Sequence, residues 1–278
     1  MSHPQSTRVL VRGVGEIASA VACLLRRAGA RPAVQASRPP IAIRRRMAFS
    51  DAVFDGTARL EEFTARRLDS ATRAETVWEA GEIPLLYGDF GQMLAQAPWQ
   101  VLVDARMNKQ QAPESQIGLA PLVIGMGPGC VVGVNVDMAV ETSWEALGTI
   151  VAQGATMELA GEPRAVLGHA RDRFRYAPAA GVLRSAVAIG ATVREGEVVA
   201  WVGELPVMAA FDGMVRGLTR DGVPVLAGNK IAEIDPRIGQ ARLDGIDERP
   251  RRIAEAVVDI IRRRLDWPSR MEAPLSAV

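Results

Sequence analysis

Val9-Leu10-Val11-Arg12-Gly13-Val14-Gly15-Glu16-Ile17-Ala18 is the stretch on which the fold turns. Three consecutive apolar residues read as a buried strand, and Arg12-Gly13 stops it. Ile17, Val21, Leu24, Leu25 and Ala28 then recur at helical spacing until Gly29. Residues 9–29 therefore predict strand, glycine turn, helix. In the turn, Gly13 suits a tight bend and Gly15 lets a ligand approach the backbone. The small Ala18 lets helix and strand pack closely. Free N–H groups at the helix start attract an anion, while Glu16 beside them repels one. The acidic residue that closes a dinucleotide site is missing from residues 33–40, AVQASRPP. Two readings stay open here: a phosphate or nucleotide turn, and a simple close-packed βα turn.

Working outward, Ala33–Ala36, Glu82–Leu86, Val101–Asp104 and Pro121–Ile124 read as further buried strands separated by helical segments. The alternation predicts a Rossmann-like parallel sheet domain over residues 8–160. From about residue 176 the pattern changes to short apolar stretches broken by glycines. Ala177, Gly181, Arg184, Gly190, Val193, Gly196 and Ala200 recur 32 residues later as Ala209, Gly213, Arg216, Gly222, Val225, Gly228 and Ala232. Two similar halves packed face to face are expected, a small all-β barrel-sandwich unit over residues 173–237. Ile253, Ala256, Val257, Ile260 and Ile261 share one face of a C-terminal amphipathic helix, residues 245–266, expected to dock on the body. Residues 266–278 read as a frayed tail.

The chain has 278 residues, with 33 basic and 32 acidic side chains, a balance that argues against a nucleic-acid binder. No apolar run is long enough to span a membrane, and the N-terminus lacks a secretory pattern, so a cytoplasmic location is expected. Cys23 and Cys130 form no disulfide framework, and His3 and His169 are the only histidines, so no metal site is expected. Only Lys109 and Lys230 are lysines; every other basic side chain is arginine.

Gly125-Met126-Gly127-Pro128-Gly129 follows the Val123-Ile124 strand, where open α/β sheets place ligands. Its amides suit an anion, and a wide turn is the bland alternative. Arg44 and Arg45, within Arg44-Arg45-Arg46, are candidate counter-charges, or part of a solvated face. Asp104 and Asp137 end strands or follow the glycine loop, positions suited to a ligand and equally to a cap. Lys109 is a candidate by its rarity. Cys130 is a candidate sulfur ligand or nucleophile, or else a small buried residue.

RGVGEIASAVACLLRRAG (12–29), PPIAIRRRMAFSDAVFDG (39–56), APLVIGMGPG (120–129), VGVNVD (132–137) and AVET (139–142) together resemble the bacterial accessory proteins of selenium-dependent molybdenum hydroxylases. That resemblance implies a role in maturation or cofactor insertion, with molybdopterin or a nucleotide as ligand and a molybdenum hydroxylase as client. On it, Gly13, Gly15, Glu16, Arg44, Arg45, Lys109, Gly125, Gly127, Gly129 and Asp137 would line the site of a phosphate-bearing small molecule. Ala36 stands where the family usually has an acid. Ser143-Trp144-Glu145-Ala146 replaces a usual Asn-Arg-Gly-His-like stretch. The repeat is similar to biotinyl and lipoyl carrier domains, but the hairpin Glu204–Ala209 carries no lysine to modify.

Two other functions compete. An NAD(P)-dependent oxidoreductase would need an acid or base, for which Lys109, Asp104 and Tyr87 are the candidates. A non-enzymatic interaction scaffold would use the β unit and the basic helix. A homo-oligomer is compatible with each.

Overall fold

The computed structural model describes residues 7–107, 113–158, 161 and 163–265. The N-terminal half runs β1 (Arg8–Arg12), α1 (Glu16–Arg27), β2 (Arg31–Ala36), α2 (Ala52–Asp55), β3 (Thr57–Leu60), β4 (Phe63–Leu68), α3 (Ala74–Glu79), β5 (Ile83–Tyr87), α4 (Phe90–Ala95), β6 (Val101–Asp104), β7 (Leu122–Met126), β8 (Met138–Val140) and β9 (Ile150–Val151). These nine strands form one sheet in the order β3-β4-β5-β2-β1-β6-β7-β8-β9. Every neighbouring pair from β4 to β8 is parallel, and only the edge strands β3 and β9 run antiparallel. The central strands are buried on both faces, which is why they read as unbroken apolar runs rather than alternating ones.

The faces are covered unequally. Val9 and Val11 of β1 point toward α1, while Leu10 points to a second core with Trp78, Met93 and Trp99. α1 covers its face only in part, and the C-terminal helix α5 (Glu248–Arg264) completes the layer. Ile253, Val257, Ile260 and Ile261 join the α1 core from outside, so the expected docking of this helix is what the structure shows. Residues 266–278, read as a tail, lie outside the described residues.

The second half forms two four-stranded antiparallel sheets from β10 (Phe174–Tyr176), β11 (Gly181–Ser185), β12 (Thr192–Val193), β13 (Val198–Val202), β14 (Leu205–Met208), β15 (Gly213–Leu218), β16 (Pro224–Val225) and β17 (Lys230–Asp235). Their orders are β10-β17-β15-β12 and β14-β13-β11-β16. Under the 32-residue repeat β11 maps onto β15, β12 onto β16 and β13 onto β17, so one order becomes the other. The repeat is thus a structural pseudo-two-fold. Each copy lends a strand to the other: β11 pairs with β16, and β12 with β15. The sheets enclose a core of Leu183, Val199, Val215, Leu218 and Ile231, and neither closes into a barrel.

Candidate functional site

β1 lies between β2 and β6, so the chain leaves it in one direction through α1 and returns to its other side only at β6. Open α/β sheets bind ligands at such a reversal, outside the carboxyl ends of the strands. At that edge the Gly13 amide donates to the Gln35 carbonyl at 2.8 Å, and the Ala105 amide donates to the Arg12 carbonyl at 3.0 Å. Gly13 has φ +119°, and a Cβ there would stand 3.0 Å from the Ala105 oxygen. Glycine at 13 is therefore required by the meeting of the β1 and β6 ends. Gly15 differs. It is the N-cap of α1 at φ −75°, no side chain caps the helix, and a Cβ there would meet nothing within 4 Å. Nothing in the fold calls for glycine at 15.

The second glycine run reaches the same edge, with β6 between it and β1. Gly125 lies inside β7, and a Cβ there would collide with Cys130 Sγ at 2.6 Å and Val136 at 2.7 Å. It is a packing glycine, closed off from any ligand. Gly127, at φ +93°, faces Met107, whose sulfur lies 3.1 Å from where a Cβ would be, with Thr142 Oγ1 at 3.8 Å. The Gly129 carbonyl accepts from Asn135 Nδ2 at 2.9 Å. Asp137 Oδ2 accepts from the Val123 amide at 2.7 Å, which fixes the register beside β7. Cys130 is buried, and burial pushes its thiol up to about 12.

The arginine run bridges the two halves of the molecule. Arg44 Nη1 donates to Glu16 Oε2 at 2.9 Å, while Nε and Nη2 donate to Glu233 at 2.7 and 3.0 Å. Arg45 donates to Asp51 at 2.6 Å and to the Leu218 carbonyl at 2.8 Å. Arg46 pairs with Asp244. Glu233, with 0% of its side chain exposed, also takes Arg173 at 3.0 Å and Arg216 at 3.4 Å. Burial alone would raise its pKa, but the charge and hydrogen bonds of Arg44, followed by Arg216 and Arg173, hold it below the usual carboxylate range. The expected counter-charges thus have carboxylate partners.

Asp104 is engaged in the same way. It accepts from Arg106 Nη2 and Gln116 Nε2, both at 2.6 Å. Burial would raise its pKa, yet the Arg106 contacts outweigh it and keep the carboxyl ionised. Arg12, stacked 3.7 Å over Phe90, donates to Glu114 and Gln116 and fastens the chain after β6 across this edge. Tyr87 lies against Arg67. Lys109 lies outside the described residues.

Sequence reasoning missed Arg249. It sits in the first turn of α5, where the apolar stripe drew attention to packing instead. Nε and Nη2 both donate to the Thr142 carbonyl, at 3.2 and 2.9 Å, and among the described residues it forms no ion pair. Burial lowers its pKa, while Glu16, Arg44 and Glu141 act on it through space, so its charge belongs to the α1 edge. Glu141 itself is occupied by the amides of Thr142, Ser143 and Met157. Arg249 lies 107 residues from Thr142 in the chain, so no local pattern could have joined them. Among the described residues no group of three His, Cys, Asp or Glu is placed to hold a metal ion.

No family model matches this chain. It is 37% identical over 264 residues to the uncharacterized protein YqeB of Escherichia coli strain K12, covering 94% of this chain and 48% of that protein. The chain thus spans about half the length of this relative. Solved structures that overlay include a succinylglutamate desuccinylase/aspartoacylase from Rhodobacter sphaeroides (21% identity, 31% of this chain and 29% of that one, TM-score 0.22). Another is a succinylglutamate desuccinylase from Silicibacter (15% identity, 82% and 84%, TM-score 0.23). Overlays this loose carry no argument about fold or chemistry. The expected membership of the selenium-dependent molybdenum hydroxylase accessory family is overturned: no family model matches, and the relative is described only as an uncharacterized protein. The cofactor-maturation role falls with it. The molybdopterin or nucleotide ligand and the molybdenum hydroxylase client rested on that resemblance and keep no other support. The NAD(P)-dependent oxidoreductase is set aside as well. Asp104, the carboxyl among its candidate residues, is locked in an ion pair with Arg106.

Proposed function

We propose that this chain binds a small molecule through an oxyanion group at the carboxyl edge of its parallel sheet, over the start of α1. One observation carries this reading: Gly15 leaves the helix start uncapped although the backbone there accepts any residue. Serine, threonine, aspartate and asparagine are the usual occupants of this position, because their side chains satisfy the exposed amides. A glycine keeps those amides available to an outside acceptor. Glu16 opposes an anion, but Arg44 balances it, and Arg249 adds a positive charge that forms no ion pair among the described residues. Gly127 lies beside Thr142, whose carbonyl accepts from Arg249.

The finer fold reading belongs to the same proposal. Residues 8–160 would be a Rossmann-like domain with its ligand at the strand-order reversal, residues 173–237 a barrel-sandwich module without a carrier lysine, and residues 245–266 a helix that completes the site. The strand order and the 32-residue correspondence support it. No described helix is long and apolar enough to cross a membrane, and two buried free thiols suit the cytoplasm.

Glycine-selective 15N labelling tests the site, with inorganic phosphate, sulfate and acetate as probes. The Gly15 amide resonance is expected to shift saturably with at least one of them, and Arg249→Gln to weaken that shift while the fold persists. An unmoved Gly15 resonance with all three at about 50 mM, beyond the millimolar range of a weak anion site, refutes the proposal.

A further inference from the structure

The side chains around the start of α1 limit the charge of an anion bound there. Every nitrogen of the Arg44 guanidinium already holds a carboxylate: Nη1 donates to Glu16, and Nε and Nη2 to Glu233. Arg249 gives Nε and Nη2 to the Thr142 carbonyl, and among the described residues its Nη1 has no partner. The outer edge of that guanidinium, Nη1 with the second Nη2 hydrogen, is a fork that matches one planar carboxylate.

Two acids oppose a second negative charge. Glu16 stands in the first turn of α1, one residue past Gly15. Glu141 is 3% exposed and accepts from the amides of Thr142, Ser143 and Met157; among the described residues it forms no ion pair. Both carboxylates act on Arg249 through space, so the one guanidinium left for a ligand lies in their field. Arg249 offsets the first charge of a bound group. A second charge finds no free guanidinium and is repelled by Glu16 and Glu141. Resting on the oxyanion reading above, we infer that the ligand's oxyanion is singly charged, the carboxylate of a small organic acid. Dianions such as phosphate monoesters are rejected, and Glu16 sets that selection.

The test titrates the full chain with acetate and methanesulfonate, each singly charged, and with sulfate and inorganic phosphate, both doubly charged at about pH 8. The Gly15 amide resonance reports binding at constant ionic strength. Methanesulfonate and sulfate share a tetrahedral sulfur, so their difference isolates charge from shape. The two monoanions are expected to bind at least about threefold more tightly than the two dianions, the effect of one like charge several ångströms away under near-aqueous screening. Glu16→Gln leaves the two-pronged Arg44–Glu233 pair in place. It is expected to bring that ratio to about one or to reverse it, with circular dichroism unchanged. Sulfate or phosphate binding as tightly as acetate to the unaltered chain overturns the inference and leaves the oxyanion site standing. A ratio that Glu16→Gln leaves untouched overturns the role of Glu16. Failure of all four probes to move Gly15 refutes the oxyanion site itself, and the carboxylate assignment falls with it.

Discussion

Arg44 and Glu233 are 189 residues apart in sequence and form a two-pronged ion pair, with Nε and Nη2 at 2.7 and 3.0 Å from the carboxylate. The third nitrogen of the same guanidinium holds Glu16 at the start of α1. One side chain thus fastens the β unit to the sheet domain beside the candidate site. The neighbouring backbone reinforces the joint, where the Leu218 amide donates to the Ile43 carbonyl at 2.8 Å.

Removing the Glu233 charge would leave Arg44, Arg173 and Arg216 facing one another without their shared carboxylate. Glu233→Gln is expected to cost about 3 kcal/mol, the usual penalty for stranding buried charge. Urea denaturation of the two proteins measures it. An unchanged midpoint would mean that the cluster contributes nothing to stability.

The two glycines of the first turn should behave oppositely. Gly13→Ala forces a Cβ against the Ala105 oxygen at φ +119° and is expected to destabilise by about 1–3 kcal/mol. Gly15→Ala meets no atom and is expected to be neutral or to stabilise by about 0.4–1 kcal/mol through the unfolded chain. Thermal unfolding of both variants settles the order.

Acid should loosen the molecule through its ion pairs. Glu233 and Asp104 have lowered pKa values, and Glu114 is held to about 2, where the Arg106 and Arg12 contacts outweigh its desolvation. A carboxyl whose folded pKa lies below its unfolded value of about 4 stabilises fully above that value. The stability is lost as pH falls through the folded pKa. The urea midpoint is therefore expected to hold above about pH 5 and to drop progressively toward about pH 2. In Glu233→Gln the same drop should be shallower.

Cys130 should be inert in the folded protein. Its thiol is buried and pushed up to about 12. At about pH 8 an alkylating reagent is expected to modify it only as fast as the chain unfolds. Mass spectrometry after timed labelling measures this, and modification at the rate of a free thiol would contradict the burial.

Short-range pattern was enough to reveal the strand, turn and helix of residues 9–29, the parallel sheet, the two-copy β unit and the apolar stripe of the last helix. Each is written in spacing that one element expresses by itself: unbroken apolar runs, every third or fourth residue, or a recurrence 32 residues on. The pairing of charges was not legible. The arginine run reads as counter-charge for a ligand, whereas the fold pairs Arg44 with Glu16 and Glu233. Arg249, hidden in a packing helix, came to the sheet edge because α5 must cover the face that α1 leaves open. Local conformation follows from neighbours along the chain, whereas a charge's partner is decided by which buried surfaces meet. Only the assembled core sets that.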